Sequence, residues 1–141
     1  MPRLDATEAR ARFAAARGGR LATADAGGRP HLVPVCFALD GEDLVSAIDF
    51  KPKHTTAMQR LANIQDNPQV CLLVDEYDDA DWSALWWARA DGRAAVLDTT
   101  QARAARALTV LRERYEQYRL EALPGPVIVI GVERWTGWRA S

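Results

Sequence analysis

Lys51 and Lys53 are the only lysines in a chain with 18 basic residues, the others all being arginine. Thr55 continues their alternation. Alternate side chains of an extended segment point the same way, so two ammonium groups and a hydroxyl would converge beside the free amides of a helix starting there. That arrangement suits a phosphate or a polycarboxylate. A Lys-x-Lys pair in an arbitrary sequence is more often a solvated turn. In a surface otherwise built from arginine, however, composition gives no reason to place both lysines in one tripeptide, and the anion site is the preferred reading.

Trp82, Trp86 and Trp87 form a second group with chemical potential. Adjacent residues of a strand face opposite sides, so Trp86 and Trp87 cannot share one core. One belongs inside, and the other faces a pocket for a planar ring or another subunit; structural burial of all three is an equal alternative. Catalytic constellations are missing. His31 and His54 have no serine or cysteine nucleophile in a recognisable elbow, and the carboxylates of Asp75 to Asp81 read as a hydrated loop. With two histidines and two cysteines in the whole chain, no metal site is expected. Cys36 and Cys71 each lie in an apolar run, which predicts buried, reduced thiols. Difficult chemistry in this protein would have to belong to a bound cofactor.

The elements that must position these groups are short. Asp5 and Glu8 make a capping-box start for a helix running to Arg17 and ended by Gly18-Gly19. Strands are expected over 21–24, 31–39 and 43–48, joined by turns at 25–29 and Asp40-Gly41. The second strand carries Val33, Val35, Phe37 and Leu39 on one face, and its Pro34 implies an edge, a bulge or a break. Met58, Leu61 and Ile64 give helical spacing to 55–64, closed by Asp66-Asn67-Pro68. Strands follow over 69–74 and 85–97. Ala104, Ala107, Leu108, Leu111, Tyr115 and Tyr118 then predict one helix of about twenty residues from a Thr99/Thr100 cap. Pro124-Gly125-Pro126 stops it before a strand over 127–132.

Six strands at hairpin spacing with helices between and after them indicate a mainly β (α+β) antiparallel barrel with covering helices, in a single domain over 1–141. The glycine-rich phosphate loops of dinucleotide and P-loop folds do not occur. A net charge of -1 argues against a general nucleic-acid partner. No window approaches the roughly 20 apolar residues of a membrane span, and the start lacks a signal peptide's apolar core, so a cytoplasmic protein is expected.

The order of these features resembles the pyridoxamine phosphate oxidase-like superfamily of split β-barrel flavoproteins over roughly residues 5–139. The matching segments are Gly27 to Val35, Asp40-Gly41, Lys51-Pro52-Lys53, Asn67-Pro68-Gln69-Val70 and Arg89-Ala90-Asp91-Gly92. Asn63-Ile64, Val74-Asp75-Glu76-Tyr77, Leu85 to Gly92 and Arg134-Trp135-Thr136-Gly137-Trp138 are similar to the actinobacterial branch that uses deazaflavin coenzyme F-420. The sequence also departs from the oxidases proper. Val33 and Ala38 stand where they carry a flavin-holding arginine and lysine, Trp87 stands where they have a glutamine, and Arg134 to Ser141 offers no match to their substrate-binding basic residues.

The resemblance implies a six-stranded split barrel and a homodimer with two cofactor sites at its interface. Lys51 and Lys53, with Arg60 and Thr55, would receive the phosphate and oligoglutamate tail of F-420; the ring would lie along Val33, Val35 and Ser46, with Trp87 closing the site. It further implies hydride transfer between the reduced deazaflavin and a small unsaturated acceptor, with no proton donor assigned. An FMN-dependent oxidoreductase and a non-catalytic flavin or deazaflavin carrier or sensor are the alternatives.

Overall fold

The computed structural model describes residues 2–48, 55–120, 123 and 125–141, with residues 55–57 described for their backbone only. Asp5 caps the first helix, α1 (Ala6–Ala15), through the reciprocal pair its spacing predicts: Glu8 N donates to Asp5 Oδ1 at 2.8 Å and Asp5 N donates to Glu8 Oε1 at 3.3 Å. The helix ends two residues before Arg17, and Gly19 already belongs to the next strand. The remaining elements are β1 (Arg3–Leu4), β2 (Gly19–Ala24), β3 (Pro30–Val35), β4 (Ala38–Asp40), β5 (Asp43–Ala47), α2 (Thr55–Asp66), β6 (Gln69–Glu76), β7 (Trp86–Leu97), α3 (Ala102–Arg114), α4 (Glu116–Leu120) and β8 (Val127–Arg139). A single 3-10 turn at Trp82–Ala84 precedes β7.

All pairings are antiparallel, in the order β3-β2-β6-β7-β8-β5-β4, with β1 added beside the end of β8. Among the described residues the sheet therefore has eight strands and an open path, where the sequence suggested six. Part of the difference is that the run 31–39 divides at Cys36-Phe37. The Tyr115 hydroxyl accepts from Phe37 N at 3.1 Å and donates to Phe37 O at 2.8 Å, so this residue's backbone is satisfied by a side chain instead of a ladder. Pro34 sits opposite Arg20 on β3, an end strand of the path, which is the placement within a sheet that tolerates a residue without an amide hydrogen.

The same tyrosine interrupts the predicted long helix. Tyr115 is extended (φ -117, ψ 114), separating α3 from α4. Nor do Thr99 and Thr100 cap it: the N-cap is Gln101, and Thr100 N donates to Asp98 Oδ1. The apolar stripe is nevertheless buried as its spacing requires. Ala104, Ala107, Leu108 and Leu111 pack with Val45, Ala47 and Val127 in one core, while Phe13, Leu21, Phe37, Leu44, Leu72 and Ile130 fill another inside the curved sheet. Of the α2 positions, Ile64 is buried and Leu61 packs on the inner core, but Met58 is 63% exposed.

Between Asp91 and Gly92 the β7–β8 register shifts, pairing Asp91 with Arg134 and Gly92 with Val132, so that Glu133 is the extra residue. A one-residue insertion reverses the in-out alternation beyond it. Ile128, Ile130 and Val132 face the inner core before the bulge; after it Trp135 does, leaving Arg134, Thr136 and Trp138 on the outer face. Gly92 permits the close approach, since a Cβ there would collide with the Gly131 carbonyl oxygen.

Candidate functional site

Where β2, β3 and β5 end near one another, they enclose a cavity of about 470 Å³ with α2 and α4. That volume lies within the roughly 300–1,000 Å³ of small-molecule sites. Val35, Ala47 and Ile48 line it on the strand side while packing mainly into the two cores, Arg20 and Arg60 add basic residues to the lining, and Cys36 and Tyr118 complete it. Arg20 Nη1 lies 3.3 Å from Asp75 Oδ1, in a pair whose side chains are both substantially exposed, so its cation stays hydrated at the rim.

The structure brings Val35 and Arg60 together in this cavity. Ser46 lies one residue from Ala47 and is 3% exposed; its hydroxyl donates to Cys36 O at 2.7 Å, joining β5 to the break between β3 and β4. Val33 faces the inner core at 7% exposure. Thr55 opens α2, and Ile48 and Arg60 flank its approach in sequence. Lys51 and Lys53 lie outside the described residues. Gly18, Gly19, Cys36 and Tyr118 line the cavity although their sequence context pointed elsewhere, and Arg20 lines it although nothing in the sequence singled it out. Gly18-Gly19 read as a helix stop, whereas a Cβ on Gly19 would come within 2.9 Å of the Leu73 carbonyl oxygen. Tyr118 was hidden as the last member of a helical stripe.

Trp86 and Trp87 divide between the two faces as alternation demands. Trp86 packs on the inner core beneath the Arg12 guanidinium, 4.6 Å from its ring centroid. Trp87 instead lines a second pocket, about 460 Å³, with Arg3, Arg89, Arg134, Thr136 and Trp138. Trp82 is 64% exposed. Cross-strand registers tie the two pockets to one outer face: Pro34 pairs with Arg20, Arg20 with Leu73, Leu73 with Arg89, and Arg89 with Thr136, while Trp87 stands between Asp75 and Trp138. Cys71 lies on the same face. Both cysteines are free and half-buried, more open than their apolar surroundings suggested. Burial first, and then the Asp91 carboxylate opposite, raise the Cys71 thiol pKa, with Arg89 partly opposing them. No three His, Cys, Asp or Glu side chains converge as a metal site among the described residues, and none of the described helices is long and apolar enough to cross a membrane.

A family model described as pyridoxamine 5'-phosphate oxidase matches residues 6–139. No curated protein matches the chain. Among solved structures, a FAD-binding protein from Mesorhizobium loti is 26% identical, with 99% of this chain and 97% of that one covered at a TM-score of 0.73. A conserved hypothetical protein from Mycobacterium tuberculosis (20% identity, 97% and 86% covered, TM-score 0.74) shares the fold. So does the heme storage protein HutZ from Vibrio cholerae (17% identity, 96% and 95% covered, TM-score 0.70).

Proposed function

The chain belongs to the pyridoxamine 5'-phosphate oxidase family, and from that premise we propose that it is a cofactor-dependent oxidoreductase whose cofactor is deazaflavin coenzyme F-420 and whose reaction is hydride transfer to a small unsaturated acceptor. The observation that carries this reading is the cavity, whose lining combines the apolar residues Val35, Ala47 and Ile48 with the basic residues Arg20 and Arg60. Those residues fit a molecule with a flat ring at one end and anionic groups at the other. When bound, the reduced deazaflavin supplies the hydride. The protein's own residues orient and shelter. Val35 and Ile48 offer a dry surface to a ring, Ser46 holds the Cys36 carbonyl in place, and Arg60 offers charge to a phosphate.

Lys51 and Lys53 keep their assignment as the anchor of the acidic tail. They lie in the segment between Ile48 and Thr55, and Ile48 and Arg60 on either side of it line the cavity. Trp87 does not line the same cavity within one chain. Its role as a closing residue therefore belongs to a second copy, and the bare outer face that carries Arg20, Pro34, Trp87 and Trp138 is the surface through which two copies would associate.

Coenzyme F-420 titrated into the purified protein is expected to quench its tryptophan fluorescence saturably. Replacing both Lys51 and Lys53 with alanine should weaken binding at least tenfold without altering the denaturation midpoint, since each charge-assisted contact contributes roughly 1.5–3 kcal/mol. Unchanged binding in that variant would remove the anchor assignment, and no binding at tens of micromolar coenzyme would remove the F-420 reading.

An FMN-type reading is favoured by the Mesorhizobium loti protein, which binds FAD, and a yellow protein as purified would select it. A carrier or sensor role is favoured by a different observation: among the described residues lining the cavity there is neither a carboxylate nor a histidine to act as acid or base. Binding without reduction of any quinone or enone acceptor would select that role.

A further inference from the structure

At the far end of β2, beyond the cavity already described, the β2–β3 turn and α2 enclose a third pocket of about 400 Å³. Its lining is polar almost throughout: Asp25, Arg29, His31, Gln59 and Asn63, with Pro30. Tyrosines aside, only three polar residues are buried among the described residues, and two of them meet beside this pocket, Thr23 at 3% exposure and Asn63, which lines it, at 2%. Asn63 Oδ1 accepts from Gln59 Nε2 at 2.7 Å, and Asn63 Nδ2 donates to Thr23 Oγ1 at 3.1 Å. The amide is thus locked in orientation while retaining a second N–H and a second lone pair. His31, opposite Thr23 in the β2–β3 ladder, keeps Nδ1 buried with no hydrogen bond among the described residues. Buried polar groups left this way are normally satisfied by something.

The rim narrows what that something is. Asp25 Oδ1 accepts from Gly27 N and Arg29 N, both at 2.9 Å, which rigidifies the turn and leaves Oδ2 available. Neither Asp25 nor Arg29 enters an ion pair among the described residues. A simple anion would meet the Asp25 carboxylate, a simple cation would meet the Arg29 guanidinium, and an apolar molecule would leave the amide and imidazole unsatisfied. We propose that this pocket binds a small zwitterion of the free amino acid type, its carboxylate taken by Arg29 with His31 and Asn63, and its ammonium by Asp25. The site is separate from the cavity lined by Val35 and Arg60 and does not rest on the oxidoreductase reading.

Glycine and alanine titrated into the 15N-labelled full chain are the probes, with acetate and methylammonium as single-charge controls. The expected result is a saturable shift of the Asn63 side-chain amide resonances with the zwitterions and at least tenfold weaker responses to either control. Asp25→Asn keeps the turn-holding Oδ1 but removes the charge, and Arg29→Gln removes the opposite charge. Each should weaken glycine binding about tenfold, and Asp25→Asn should bring acetate level with glycine. Equal responses to all four probes, or no saturable shift up to tens of millimolar, would overturn the proposal and leave the pocket as a site for ordered water. Spectra of the variants without probe establish that both remain folded.

Discussion

Two halves of the outer sheet surface, built from one continuous ladder, have opposite fates. Over β4, β5 and the start of β8, the outward residues Ala38, Val45, Ala47 and Val127 are buried under α3. Arg103 fastens that helix through Asp40 at 2.9 Å and Asp43 at 3.0 Å, and Arg106 reaches Asp40 at 2.8 Å. Over β2, β6, β7 and the end of β8, no helix of the described residues covers the surface, and its outward residues alternate Arg20, Asp75, Arg89 and Arg134 with Leu73, Trp87 and Trp138. A surface of small aliphatics has to be kept from water, and here α3 of the same chain covers it. One that mixes aromatics with arginine tolerates water and suits a partner or a ligand, a composition typical of interfaces.

The covered half should therefore respond to substitution as a core. Leu111→Ala, at a fully buried position, is expected to cost about 2–5 kcal/mol in chemical denaturation and to leave association unchanged. A loss below about 1 kcal/mol would mean that α3 is not part of the cooperative fold. Tyr115→Phe comes next. It strands the Phe37 amide that the hydroxyl now satisfies, at about 1–3 kcal/mol, and should loosen the cavity wall at Cys36 as a faster alkylation of that thiol.

Substitution in the bare half should have little effect on stability and a large one on assembly. Trp138→Glu is expected to move the denaturation midpoint little, yet to shift sedimentation toward the single chain and weaken cofactor binding in parallel. A variant that unfolds without changing association would place Trp138 in the core. The smallest effect belongs to Cys71. Because burial and Asp91 raise its pKa, the folded protein holds the thiol proton more tightly than the unfolded chain does. Its contribution to stability is complete at neutral pH and declines as pH rises through and above the ordinary thiol range. Alkylation at neutral pH should be slower at Cys71 than at a model thiol, and Asp91→Asn should speed it; an equal rate would contradict the shift.

Much of the fold is legible along the chain because its signals are local. The Asp5/Glu8 cap, the Gly41 turn (φ 64) between Asp40 and Asp43, and the stripe from Ala104 to Leu111 each depend on residues within a turn or two. The inward set Val33, Val35, Phe37 and Leu39 also holds, even though the strand carrying it breaks. The errors occur where distant residues compete. Nothing near Tyr115 in sequence announces that its hydroxyl will bond Phe37, 78 residues away, yet that contact ends α3 and divides β3 from β4. The Glu133 bulge is equally silent, and it alone decides that Trp135 points inward and Trp138 outward.

The candidate site follows the same division. Sequence by itself determined the residue types: an arginine-dominated chain with both lysines in one tripeptide, and a tryptophan pair that must split between two faces. Tertiary structure decided the grouping. Val33 and Val35 both turn to the core, Val35 still reaching the lining of a cavity shared with Arg20, Cys36, Arg60 and Tyr118, Ser46 bonds the Cys36 carbonyl, and Trp87 lies on the bare outer face. The physical reason is that composition and short-range spacing constrain which groups a strand or helix presents, whereas register, bulges and long-range hydrogen bonds set which of those presentations meet.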